Sequence, residues 1–74
     1  MKKLLNQYGF TYNEDYFYMV NESLTNGQFT QAHTQIKAMP KRGKKEMLLF
    51  LFLQYPEISK ENKTWLFKHT VEVI

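Results

Sequence analysis

The fold depends on one uninterrupted apolar stretch, Met47-Leu48-Leu49-Phe50-Leu51-Phe52-Leu53. Because every position in it is apolar, periodicity does not distinguish a buried helix from a buried strand. Leu and Met dominate over β-branched residues, and the flanking segments have helical spacing, so we predict a helix over about residues 44–54 rather than a strand. A helix that is apolar all round must be surrounded by other elements. We therefore expect the rest of the chain to pack around this helix.

The segment that ends at Thr25 is predicted to be helical. Its start carries two alternative signals, a capping box formed by Thr11 with Glu14, or Asn13 as the N-cap residue. The pair Asn26-Gly27 is a strong helix stop. The apolar positions of this helix recur at i, i+3 and i+7, and they are Phe17, Val20 and Leu24.

Two further helices follow from periodicity. One contains the most regular apolar stripe in the chain and ends before Pro40, which disfavours helical geometry at the preceding residue. The last helix begins after Ser59, the expected N-cap. The stripe of the first is Phe29, Ala32, Ile36 and Met39, and the last helix carries two stripes, Phe67, Val71 and Ile74, and Leu66, Thr70 and Val73.

The resulting prediction is an all-α protein. Met1 to Tyr8, followed by Gly9, adds room for a short extra helix at the N-terminus. We expect a compact four-helix mini-bundle, or five helices with that extra one, around a buried central helix at about 44–54. Residues 1–74 are expected to form a single domain.

Composition bounds the class of protein. The 74 residues contain no Cys, so neither disulfides nor a Cys-based zinc site is available. The longest apolar run is far shorter than the ~18 residues that span a bilayer. The N-terminus lacks the apolar region of a secretory signal. These features predict a cytoplasmic protein with no membrane partner.

The net charge of +3 originates in one cluster, formed by Lys41, Arg42, Lys44 and Lys45 around Gly43. We read residues 41–45 as a basic loop that leads into the central helix. Two interpretations stay open. The cluster contacts the phosphates of a nucleic acid or an acidic partner, or it is a solvated loop that keeps the protein soluble. Sequence-specific DNA recognition is not expected, because the chain has a single Arg.

Three consecutive aromatic residues, Tyr16, Phe17 and Tyr18, cannot all lie on one face of a helix. We expect Tyr16 and Phe17 in the core and Tyr18 at the surface. Exposed Tyr is a favoured interface residue. Partner contact and simple exposure both remain open for Tyr18.

No residue pattern indicates catalysis, a cofactor or a metal. His33 and His69 are not at metal-ligand spacing, and we expect both to be partly buried structural residues. Glu14 and Asp15 are explained by the first turn of a helix, where negative charge is favoured. We therefore expect a protein that is not an enzyme.

The functional expectation is a protein–protein interaction. The chain would be an adaptor or an inhibitor of a larger protein, of the short type common in phages and other mobile elements. Its high apolar content also favours homodimerisation as a way to cover surplus surface. The alternative is an accessory module that binds nucleic acid through residues 41–45.

Overall fold

The computed structural model describes residues 1–72, and in this range it contains five α-helices and no β-strand. The all-α prediction is confirmed, as are the extra N-terminal helix and the helical state of Met47–Leu53. The predicted positions Val73 and Ile74 lie outside the described residues. The helices are α1 (Lys2–Tyr8), α2 (Asn13–Thr25), α3 (Phe29–Ala38), α4 (Lys41–Leu53) and α5 (Lys60–Glu72).

Two glycines end helices in the left-handed conformation, as their positions in the sequence predicted. Gly9 has φ 72° and Gly27 has φ 75°. After Gly9, the N–H of Phe10 donates to the carbonyl of Leu5 at 2.9 Å. The end of α2 has the same hydrogen bond, from an N–H to the carbonyl five residues earlier. This is the Schellman pattern, which Gly favours because it has no Cβ. The chain therefore turns sharply after α1 and α2.

The end of α3 before Pro40 and the start of α5 after Ser59 also match the sequence prediction. Met39 is extended, with ψ 146°, and Pro40 is the N-cap of α4. Before α5, the Ser59 hydroxyl oxygen accepts a hydrogen bond from the Asn62 N–H at 3.1 Å, the expected N-cap geometry.

Both predicted start signals of α2 are wrong. The N-cap residue is Tyr12, and no side-chain capping bond is present at this described helix end. Asn13 is the first helical residue, and its side-chain amide donates to Glu46 Oε2 of α4 at 2.8 Å. A tertiary partner, more than thirty residues away in sequence, thus orients the side chain that we expected to cap the helix.

The core centres on α2, which packs against α3, α4 and α5. The expectation that α4 is the surrounded central helix is wrong for one of its faces. Met47 and Leu51 are fully buried, but Leu49 is 60% exposed and Leu53 is 77% exposed. The four other helices cannot cover every side of α4 and also bury their own apolar stripes. The buried apolar residues are Leu5, Tyr16, Phe17, Val20, Leu24, Ala32, Ile36, Met39, Met47, Leu51, Ile58 and Leu66.

Polar contacts fix the position of α2 relative to its neighbours. The Tyr16 hydroxyl donates to the Gln35 carbonyl at 2.6 Å, and the Ser23 hydroxyl donates to Gln35 Oε1 at 3.1 Å. On the side of α5, the Asn62 amide donates to Asn21 Oδ1 at 2.9 Å. Because buried polar groups are costly without partners, these bonds favour one arrangement of α2, α3 and α5.

Candidate functional site

The predicted basic loop is helical, which corrects the loop assignment for residues 41–45. These residues form the first part of α4, and the Lys44 N–H donates to the Pro40 carbonyl at 3.0 Å. Lys and Arg are good helix formers, and Pro40 has φ −67°, which suits a helix start. The four cations therefore project from a rigid element at helical angles.

The four cations of this segment do not share one surface. Lys41, Arg42 and Lys45 are exposed, whereas Lys44 is buried, with 8% of its surface exposed. Helical geometry explains the difference, because Lys44 lies on the same side of α4 as the core residues Met47 and Leu51. The structure thus leaves three of the four predicted contact residues accessible.

Tyr18 lies at the surface, as predicted, with 42% of its area exposed. Its ring makes edge contacts with Phe50 of α4, at 5.3 Å between centroids, and with Tyr55, at 5.2 Å. Tyr18 therefore belongs to an aromatic cluster on the α2 side of α4. On a helical projection, Phe50 lies about 140° from Lys45, so this cluster is on a different flank from that exposed cation.

The largest apolar exposure lies on α4 and α5, at residues that were not predicted as a site. Four large side chains there are each between 48% and 77% exposed, and Leu48 and Phe52 beside them are half-buried. The six residues line one hollow of about 350 Å³. We call this set the α4–α5 face: Leu48, Leu49, Phe52, Leu53, Phe67 and Val71.

A second hollow continues the α4–α5 face along α5. It has a volume of about 590 Å³ and is lined by Phe52, Phe67 and Val71 together with Thr64, Lys63 and Lys68. The apolar surface is thus bordered by two ammonium groups. On α4, Arg42 and Lys45 precede Leu49 by seven and four residues, so they lie on the same side of the helix.

A sequence signal for the α4–α5 face was present. The last helix carries two apolar stripes, and a helix on the surface of a small bundle needs only one to reach the core. In the structure, Leu66 and Thr70 of one stripe are fully buried, and Phe67 and Val71 of the other are exposed. The second apolar stripe of α5, together with the all-apolar run of α4, indicates the α4–α5 face. Which side of each helix turns outward was not readable from either pattern.

The two histidines are partly buried, as expected. They lie next to each other, one on α3 and one on α5. Their ring centroids are 5.9 Å apart, and the His69 ring stacks on Trp65 at 4.1 Å. Within residues 1–72, no group of three or more His, Asp or Glu side chains is placed to hold a metal ion. The pair is thus part of the packing between α3 and α5.

Comparison with known proteins finds no family model, no curated protein and no solved structure that matches this chain. In the described part of the chain, none of the helices has both the length and the apolar character needed to cross a bilayer.

Proposed function

We propose that this chain binds another protein through the α4–α5 face and does not catalyse a reaction. The observation that carries the proposal is the continuous exposure of Leu49, Leu53, Phe67 and Val71 around one hollow. Contiguous apolar patches on small proteins, as opposed to scattered apolar residues, are typical of interaction sites. Adaptors and inhibitors of larger proteins both use surfaces of this kind.

The exposed apolar side chains of this face supply part of the free energy that specific binding needs. Complete burial of one Leu, Val or Phe side chain is worth about 1.5–3 kcal/mol, so burial of the half that is exposed contributes roughly half of that. Four such side chains together supply several kcal/mol, against which the entropic cost of association must be set.

The face is also pre-arranged. The opposite sides of the same two helices, at Met47, Leu51 and Leu66, are fully buried in the core. The exposed side chains are therefore held on elements that cannot rotate without breaking the core. Such preorganisation lowers the conformational cost of binding.

Site-specific photo-crosslinking in the cells that produce this protein tests the proposal. A photoreactive phenylalanine analogue replaces Leu53 on the face or, as the matched control, Thr34, an exposed residue of α3. We expect a covalent adduct with a protein from position 53 and none from position 34. Equal yields at both positions, no adduct at position 53, or an adduct that a nuclease removes would contradict the proposal.

A second candidate function is phosphate contact with a nucleic acid, which the exposure of Lys41, Arg42 and Lys45 at the start of α4 favours. Fluorescence anisotropy with labelled single- and double-stranded oligonucleotides tests it at low and at physiological salt. Phosphate binding weakens steeply as salt increases, because counterion release drives it. Substitution of these three residues by Ser should abolish such binding. Absence of binding by the unsubstituted protein at low salt would remove this candidate.

A further inference from the structure

We infer that the partner segment recognised by the α4–α5 face is an amphipathic helix whose apolar side chains are flanked by Asp or Glu. The inference rests on the proposed protein-binding function and adds the chemistry of the partner. It depends on three properties of the face: the sign of the charges that border it, the direction of the nearest carboxylate, and its shape.

The charged side chains that line the two hollows of the face have one sign. Lys63 and Lys68 line the larger hollow, and no carboxylate lines either hollow among the side chains that the structure describes. Arg42 and Lys45 extend this pattern along α4, since both are exposed and lie on the same side of the helix as Leu49. A partner with carboxylates on either side of its apolar stripe matches this border.

The acidic residue of α4, Glu46, does not line either of the two hollows. Glu46 follows Lys45 directly, but its Oε2 accepts a hydrogen bond from the Asn13 side chain of α2 at 2.8 Å. Its carboxylate is thus directed toward α2, away from the α5 side of the face. On the α2 side, Glu46 and Glu14 share a hollow with Leu49, so the cationic border belongs to the α5 side of the face.

The shape of the face favours a helix as the ligand. Two adjoining hollows, of about 350 and 590 Å³, lie along the line where α4 and α5 pack. A helix presents apolar side chains at i, i+3 or i+4, and i+7, which enter such hollows in turn. Both hollows are shallow and open to solvent, so a helix can lie across them, and the charges beside them select the residues that flank its apolar stripe.

The charges also disfavour a second copy of this chain as the occupant. In a two-fold symmetric dimer, the same patch lies opposite itself. Lys63 and Lys68 of one copy would then approach the cationic border of the other, and like charges placed opposite each other oppose association.

Two labelled peptides of about four helical turns test the inference. They share one apolar stripe of Leu and differ only in the flanking residues, which are Glu in one and Lys in the other. We expect the Glu peptide to bind about tenfold more tightly at low salt, and this ratio to fall as salt screens the charges. The measurement is fluorescence anisotropy of each peptide titrated with the full chain.

Matched variants separate the charge effect from the apolar effect. Lys63→Gln with Lys68→Gln should bring the two affinities close to each other, whereas Lys2→Gln with Lys37→Gln, which removes the same charge elsewhere, should preserve the preference. Leu49→Ser with Leu53→Ser should abolish binding of both peptides. Circular dichroism of each variant verifies that the helices are retained.

The outcomes distinguish the two proposals. Equal affinity for both peptides, lost in the Leu variant, would overturn the inference of an acidic partner and support protein binding at this face. Dimerisation at low salt, where the charges are not screened, that the Leu variant abolishes would do the same. Tight binding to anionic phospholipid vesicles, lost in the Leu variant, with no peptide binding, would overturn both proposals. If neither peptide nor vesicle binds, the acidic-helix inference is wrong, and the crosslink at position 53 decides the protein-binding function.

Discussion

Tyr16 combines a fully buried ring with a polar contact. Its hydroxyl donates to the Gln35 carbonyl at 2.6 Å, and its ring contacts Tyr8 edge-on at 5.5 Å between centroids. Burial raises the pKa of the Tyr16 hydroxyl from 10.0 to about 12, with a smaller contribution from Tyr8. The neutral phenol is therefore the form that the folded state accommodates.

This pKa predicts a loss of stability at alkaline pH. The unfolded chain releases the Tyr16 proton near pH 10, whereas the folded chain retains it to about pH 12. The stabilising contribution is complete below pH 10 and is lost as the pH increases through 12. Urea unfolding across this pH window should show a steeper decline for the unsubstituted protein than for Tyr16→Phe. At neutral pH this variant should be less stable by about 1 kcal/mol, because the Gln35 carbonyl loses its donor.

The control for this prediction is Tyr12→Phe, at an exposed position. It should retain both the stability at neutral pH and the decline at alkaline pH. A Tyr16→Phe protein that declines as steeply as the unsubstituted one would contradict the assignment to Tyr16.

Among the helices, α4 has two apolar sides, of which one is buried in the core and the other is exposed. Leu51 is fully buried, whereas Leu53, two residues later, is 77% exposed. Two residues along a helix correspond to a rotation of about 200°, which separates the core side from the outer side.

We expect opposite effects from substitutions on these two sides. Leu51→Ala should lower the free energy of unfolding by about 2–5 kcal/mol, since it removes buried methyl groups and leaves a cavity. Leu53→Lys should change it by less than about 0.5 kcal/mol, as is usual for exposed positions. Denaturant titration at neutral pH measures both. A large destabilisation by Leu53→Lys would show that this residue supports the fold and is not free to bind a partner.

The starts of α2 and α5 provide a second comparison of elements. Ser59→Ala should destabilise the protein by about 1 kcal/mol, because the Asn62 N–H loses its acceptor. Thr11→Ala should have little effect, since α2 starts without a side-chain cap. Thermal unfolding of the two variants makes the comparison. Equal losses would indicate that Thr11 stabilises α2 in a way that the hydrogen bonds do not show.

At the scale of the whole molecule, surplus positive charge and surplus apolar surface lie together. The chain carries a net charge of +3, and the α4–α5 face is bordered by Lys63 and Lys68. The apolar surface favours self-association, and the cations oppose it when two copies of the face meet. The balance between the two depends on ionic strength, because salt screens the charges and leaves the apolar term in place.

This balance predicts the response of the oligomeric state to salt. Sedimentation velocity should show an 8.9 kDa monomer at low salt and increasing association as salt is added. Leu49→Ser with Leu53→Ser should remain monomeric under both conditions. A dimer at low salt that dissociates as salt increases would indicate a charge-driven interface elsewhere on the molecule and would contradict the prediction.

The sequence by itself determined the ends of α1, α2 and α3 and the start of α5. Gly9, Asn26-Gly27, Pro40 and Ser59 act through backbone conformation and hydrogen bonds within a few residues, so their effects are local and readable from the sequence. The apolar spacing of α2 and α3 likewise identified half of the buried apolar residues in the described part of the chain, although Phe29 of the α3 stripe is 51% exposed. Tyr18 was placed at the surface by the same local geometry, because three consecutive aromatic residues cannot share one side of a helix.

Only the tertiary structure determined which apolar side of α4 is exposed to solvent. A run such as Met47–Leu53 has no polar side, so its pattern contains no information on orientation, and only packing against α2 and α5 selects Leu51 for the core and Leu53 for the surface. Three other features have the same cause. They are the hydrogen bond from Asn13 to Glu46, the burial of Lys44, and the packing of α4 against α5 at one face. Each depends on contacts between residues distant in sequence, and a local pattern does not encode the position of a distant partner.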